Sequence, residues 1–68
     1  MRYVVVYEKT PGGWSAYVPD LAGCVAAGDT RDEVESLIRE AVTLHIEALR
    51  EEGAQVPKPG SWTSLVEV

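Results

Sequence analysis

Hydrophobic and polar residues alternate in two short stretches near the start of the chain. Residues 2–8 are rich in β-branched and aromatic types, and residues 14–18 alternate large and small side chains, as β-strands do. The Lys-Thr-Pro-Gly-Gly sequence between them favours a turn, because proline presets one dihedral angle and glycine accepts positive φ. These patterns predict an antiparallel hairpin, followed by a third short strand at residues 24–27 that Gly28 ends.

The longest periodic pattern predicts one helix after these strands. Thr30 and Glu33 have the spacing of a capping box, so the helix should begin at Arg31. Gly53 suits the left-handed position after a helix end, which gives a range of about 31–52. At about 100° per residue, one broad arc that should face the sheet holds Val34, Leu37, Ile38, Ala41, Val42, Leu44, His45, Ala48 and Leu49. The opposite side holds Arg39, Glu40, Thr43, Glu47, Arg50 and Glu51.

The remainder of the chain contains two prolines and a second apolar stretch. Residues 54–60 cannot continue the helix and should run extended. Residues 62–68 are predicted to form a last strand. The predicted fold is therefore α+β, one domain over residues 1–68 with a small antiparallel-type sheet and one long helix in the order β-β-β-α-β.

The length of 68 residues limits how stable an isolated chain can be. A domain of this size buries only about 60% of its unfolded surface and usually needs a disulfide, a metal or a partner subunit. Cys24 is the only cysteine, so the chain cannot form an internal disulfide. The sequence also has no cluster of Cys and His residues that could bind a structural zinc ion, and no other cofactor is expected. Self-association remains, so we expect a homo-oligomer, a dimer or higher. Its interface should include the apolar residues of the last strand, Trp62, Leu65, Val66 and Val68.

Charge and hydropathy narrow the class of partner. The apolar run at residues 1–7 is too short for a signal peptide or a membrane span, and a single cysteine suits a reducing compartment, so a cytoplasmic location is expected. Eleven acidic residues against six basic ones give a net charge of −5. Affinity for a phosphate backbone comes from lysine and arginine, so the chain should not bind nucleic acid directly. A basic protein partner is favoured.

Several residues are candidates for chemistry. Glu8, Asp20 and Asp29 are carboxylates that a two-metal nuclease could use, although Asp20 and Asp29 also suit a turn and a helix N-terminus, where they would bond local N–H groups. His45 lies on the apolar arc without a nucleophile at helical spacing, which favours a buried or interface histidine. Cys24 has no adjacent basic residue and should be an inert core thiol.

Aromatic residues could also form a base-stacking platform. Trp14, Tyr17 and Trp62 lie on predicted strands, as the stacking residues of single-strand RNA binders do. Such binders also need a positively charged groove, and only Arg2, Lys9 and Lys58 lie outside the helix. Packing in the core or at an oligomer interface is therefore favoured.

Four short motifs follow one another along the chain. They are Tyr17-Val18-Pro19-Asp20-Leu21-Ala22-Gly23-Cys24-Val25, Gly28-Asp29-Thr30, the helix ending Leu49-Arg50-Glu51-Glu52-Gly53, and Val56-Pro57-Lys58-Pro59. In this order they resemble the N-terminal domain of the HicB antitoxin family. Ala22, where the family commonly has proline, is the visible departure. The resemblance implies a reduced ribonuclease H-like fold. It also implies an inhibitor that covers the active site of HicA, a small basic ribonuclease that cuts messenger RNA.

The resemblance also frames the alternatives. Many HicB proteins carry a further DNA-binding segment, for which these 68 residues leave no room, so operator binding is not expected of this chain. The surface that attracts a basic toxin should include Glu40, Glu47 and Glu51 on the polar side of the helix. The alternatives are a solitary HicB-like oligomer with an unknown regulatory ligand and a metal-dependent nuclease.

Overall fold

Three strands and one helix make up the regular structure of the chain. The computed structural model describes residues 1–68, with β1 (Val6–Thr10), β2 (Gly13–Tyr17), β3 (Val25–Gly28) and α1 (Arg31–Glu51). All three strands are antiparallel, and β2 lies between β1 and β3. The predicted α+β class and the order of the first four elements are confirmed. The helix does not combine the length and apolar character needed to cross a membrane.

The hairpin between β1 and β2 has a two-residue turn. Thr10 pairs with Gly13, which leaves Pro11 and Gly12 in the turn, and the register runs back to the Val6–Tyr17 pair. The first strand was predicted at residues 2–8, but the ladder begins only at Val6, because β2 ends at Tyr17 and leaves the earlier residues without a partner on that side.

Both ends of α1 are capped at the predicted residues, although only the Thr30 half of the capping box forms and the Glu33 carboxylate makes no hydrogen bond to the Thr30 N–H. The backbone N–H of Glu33 donates to the Thr30 hydroxyl oxygen at 3.2 Å, which satisfies one of the free donors at the helix start. At the other end, Gly53 has φ +72°, its N–H donates to the carbonyl of Arg50, and the N–H of Ala54 donates to the carbonyl of Leu49. These two bonds define a Schellman motif, so the helix stops where glycine permits the left-handed turn.

The core lies between α1 and the sheet, and it is small. Its six buried residues are Ala16, Val18, Leu21, Cys24, Val34 and Ile38, and no polar side chain is buried with them. The loop from Val18 to Cys24 closes on itself through three backbone hydrogen bonds, which turns Leu21 and Cys24 inward. Ala22 is exposed in this loop, so its departure from the HicB pattern leaves the core unchanged.

The buried face of α1 is narrower than the predicted arc. Only Val34 and Ile38 are fully buried, while Leu37 is 39% and Leu44 57% exposed. The prediction that these two leucines face the sheet is therefore wrong, because the short strands cover only the centre of the arc. His45 is half-buried, and its side chain makes no hydrogen bond within the chain, so a place at an interface with another subunit stays a prediction.

Residues 54–68 contain no strand, so the last β element of the predicted order is absent. The apolar residues assigned to it are exposed: Trp62 is 84%, Leu65 102%, Val66 82% and Val68 118% exposed. Strand propensity alone does not form a strand, because the backbone also needs a neighbouring edge for its hydrogen bonds. Within this chain, residues 62–68 do not pair with one.

Candidate functional site

One exposed side of α1 concentrates negative charge. Glu40, Glu47 and Glu51 follow each other at seven and four residues, which places them within about 40° of arc. All three are exposed, and none takes part in an ion pair, since the only one in the structure joins Arg39 and Glu35 at 3.5 Å. The predicted partner-binding glutamates therefore lie side by side and are accessible.

Two leucines border this charged side. Leu37 and Leu44 are seven residues apart and lie between the glutamates and the buried face of the helix. We call the group Leu37, Glu40, Leu44, Glu47 and Glu51 the acidic-leucine surface. Sequence reasoning missed the two leucines as surface residues. The sequence did contain one indication that Leu37 and Leu44 are exposed, because both lie at one margin of the apolar arc and not at its centre.

The carboxylates considered for a nuclease are not brought together. Asp20 follows β2 at the end of the sheet where Tyr17 pairs with Val6, whereas Asp29 follows β3 at the opposite end. Glu8 is exposed in the middle of β1. No group of three or more His, Cys, Asp or Glu residues is placed to hold a metal ion. The arrangement that a two-metal nuclease requires is therefore absent from this chain.

Asp20 instead holds a distant segment of the chain. Its carboxylate accepts hydrogen bonds from the backbone N–H groups of Gly60 and Ser61, each at 3.1 Å, and from the Ser61 hydroxyl at 3.0 Å. The Gly60 bond is the main cause that lowers the pKa of Asp20 below its usual 3.8, with further lowering from Ser61. The prediction that Asp20 bonds local N–H groups is therefore corrected, because its partners lie 40 residues away.

A second contact fixes the same segment. The Tyr3 hydroxyl donates to the carbonyl of Pro57, so residues 57–61, which we call the strap, are held at two points: by Tyr3 near the start of the chain and by Asp20 in the loop after β2. Both contacts join residues far apart in sequence. The strap thereby determines where residues 62–68 leave the domain.

The remaining candidates have structural roles or none. Cys24 is buried, which confirms its predicted core position, and burial raises the pKa of its thiol and so favours the protonated form. Its low reactivity stays a prediction. Trp14 packs against the core, but Trp62 is exposed. Trp14 and Tyr17 are three positions apart in β2, so their side chains lie on opposite faces of the sheet. The three aromatic residues form no stacking platform.

Comparison with known proteins identifies relatives over almost the whole chain. The family model for the HicB-like antitoxin of bacterial toxin-antitoxin systems matches residues 3–67. A UPF0150 protein of Synechocystis is 46% identical over 58 residues, which cover 84% of this chain and 73% of that protein. Antitoxin HicB 2 of Photorhabdus laumondii is 30% identical over 61 residues, covering 90% of this chain.

Other similarities concern a phage protein and a solved complex. An uncharacterized 14.9 kDa protein of Haemophilus phage HP1 is 40% identical over 58 residues, covering 85% of this chain. The chain spans 44% of the length of the phage protein and 44% of HicB 2. A chain of a solved HicA3 and HicB3 toxin-antitoxin complex superposes with a TM-score of 0.73 at 39% identity, over 87% of this chain and 69% of that one.

Proposed function

Because this chain belongs to the family of HicB-like antitoxins of bacterial toxin-antitoxin systems, we propose that it binds a small basic HicA-type toxin and inhibits its ribonuclease activity. The observation that carries the proposal is the acidic-leucine surface of α1. The similarity to a chain of a toxin-antitoxin complex supports the same class of partner. The chain would act as an inhibitor in the cytoplasm and not as an enzyme.

Charge on the helix gives the first step of the mechanism. Residues 31–52 contain seven acidic residues and three arginines, so they hold most of the net charge of −5. A ribonuclease must present positive charge to the phosphates of its substrate. An acidic helix therefore attracts the surface that binds RNA and speeds encounter with it.

The exposed leucines give the second step. Complementary charge raises the association rate more than it raises affinity, whereas an apolar side chain that becomes buried slows dissociation. Leu44 lies among the three glutamates with more than half of its surface exposed. Contact through the acidic-leucine surface would thus combine attraction with burial and exclude RNA from the toxin.

Inhibition is tested by mixing this chain with a purified HicA-type toxin from the same genome and measuring RNA cleavage. We expect cleavage to stop once the two proteins are equimolar. A toxin that stays fully active with excess of this chain would overturn the proposed function.

The position of the interface is tested separately by charge reversal. The variant Glu40→Lys, Glu47→Lys and Glu51→Lys should fold normally but associate more slowly, with the largest effect at low salt, where screening is weakest. A matched control reverses three exposed acidic residues elsewhere: Glu8→Lys, Asp29→Lys and Asp32→Lys. The association rate constants of both variants are measured by stopped flow. If the rate constant falls by the same factor in both, only the net charge matters and the assigned surface is wrong.

A further inference from the structure

An open apolar groove runs along the free edge of the sheet. It has a volume of about 440 Å³ and lies between the first seven residues and α1. Its apolar lining comes from Met1, Tyr3, Val5, Tyr7, Ile38 and Val42, and Arg39 lies at its rim. β1 is an edge strand, and residues 1–5 pair with no other strand. The groove therefore adjoins backbone N–H and C=O groups that are free to bind another strand.

Residues 62–68 have the properties of a strand without a partner. They make no hydrogen bond, and their four large apolar side chains are more than four-fifths exposed. The alternation of side chains places Trp62, Val66 and Val68 on one face when the segment is extended. Seven residues in a strand span about 23 Å, the same length as the edge formed by residues 1–7.

Charge does not oppose this placement. Glu67 is the only charged residue in the segment, and the alternation of side chains puts it on the face opposite to Trp62, Val66 and Val68. When those three side chains enter the groove, the carboxylate stays in solvent and no charge is buried.

We propose that residues 62–68 of one copy bind as an added strand along residues 1–7 of a second copy, with Trp62, Val66 and Val68 in its groove. The strap holds the start of the segment, which then extends away from its own domain and leaves its own groove open. Reciprocal exchange gives a closed dimer in which each copy supplies one segment and one groove. This partner is additional to the toxin and does not depend on it.

The two surfaces can be occupied at the same time. Along α1, the groove is lined by Glu35, Arg39 and Val42, whereas the acidic-leucine surface lies on the other side of the buried face. A dimer formed through the groove therefore leaves Glu40 and Glu47 exposed.

The mass in solution gives the first test. Light scattering at micromolar concentration should show twice the 7.4 kDa mass of one chain. Val66→Glu should halve that mass, because it places a charge in the apolar groove, while the helix signal in circular dichroism stays unchanged. Leu44→Glu is the matched control, since it alters an exposed apolar residue on the other side of α1 and should leave the dimer intact. A 7.4 kDa wild type, or a dimer that survives Val66→Glu, overturns the proposal.

Cross-linking between copies gives the second test. An Arg39→Cys chain is mixed with a Ser64→Cys chain, since Ser64 shares the groove-facing side of the segment with Trp62 and Val66. The mixture is treated with a short bismaleimide; Cys24 is buried and should react slowly. We expect a covalent dimer that contains one chain of each kind. A single chain that carries both new cysteines tests the competing arrangement. If the cross-linker joins its two cysteines to each other and the product keeps the mass of one chain, the segment fills its own groove. That outcome would overturn exchange between copies.

Discussion

Replacing Gly13 by alanine tests how closely β3 must approach the hairpin. Gly13 has φ +155°, and a Cβ atom placed on it would lie 2.2 Å from the carbonyl oxygen of Gly28 and 3.0 Å from the Cα of Asp29. These neighbours are backbone atoms, which cannot rotate away as a flexible side chain can. The strands β2 and β3 would have to separate beside the Trp14–Gly28 pair.

Two costs contribute to the expected loss of stability. A side chain at this φ occupies a region that L-residues rarely adopt, which costs about 1–3 kcal/mol. Separation of the strands costs about one ladder hydrogen bond, worth about 1 kcal/mol. Together these give a loss of about 2–4 kcal/mol. A chain of 68 residues has a total stability of about 3–10 kcal/mol, so the loss is a large fraction of it.

Thermal and urea unfolding at one protein concentration measure this loss. The melting temperature of Gly13→Ala should fall by roughly 10–30 °C, given about 4–8 °C per kcal/mol in a domain of this size. Gly12→Ala is the matched control, because its Cβ would have no neighbour within 4 Å and its φ is not positive. It should change the free energy of unfolding by less than about 1 kcal/mol. Equal melting temperatures for the two variants would refute the argument from close approach.

Three further predictions concern the core, the strap and the cysteine. Ile38→Ala should lower the free energy of unfolding by about 2–5 kcal/mol, because Ile38 is fully buried. Leu44→Ala should lower it by less than about 1 kcal/mol, because Leu44 is exposed, and urea titrations of the two variants compare these losses. Because hydrogen bonds hold the pKa of Asp20 below 3.8, its stabilising effect is present above that pH and is lost as the pH falls through the lowered pKa. Acid unfolding should thus depend less on pH in Asp20→Asn, and identical curves would contradict this role. Cys24 should react slowly with a disulfide reagent until urea unfolds the chain, and equal rates would contradict its burial.

Elements governed by local rules could be predicted from the sequence. The helix limits follow from Thr30 and Gly53, whose capping needs only neighbouring residues. The hairpin follows from a turn between two strand-forming stretches. The resemblance to HicB antitoxins also rested on short ordered motifs, and the family match confirms it.

The width of the buried helix face could not be predicted in the same way. Helical periodicity places Leu37, Leu44 and His45 on the apolar arc, but it does not state how much of that arc the sheet covers. The strands are only four or five residues long, so the margins of the arc remain exposed. The acidic-leucine surface exists for this reason, and only the packed structure reveals it.

Contacts between distant residues were also beyond the sequence. Asp20 and Ser61 are 41 residues apart, and nothing near Asp20 distinguishes a carboxylate that binds the strap from one that bonds its own turn. The prediction of a last strand rested on composition alone, and residues 62–68 do not pair with the free edge of their own sheet at β1.

The small core links the proposed interfaces to the stability of the chain. Only six of the 68 residues are buried, while large apolar side chains stay exposed on α1 and in residues 62–68. A partner that binds only the folded state stabilises it by about 2.7 kcal/mol when its concentration is 100 times the dissociation constant. That amount is comparable to the lower part of the range of about 3–10 kcal/mol expected for a chain this small. Binding of a second copy or of a basic toxin would therefore act on folding as well as on inhibition, and each would raise the melting temperature in a concentration-dependent way.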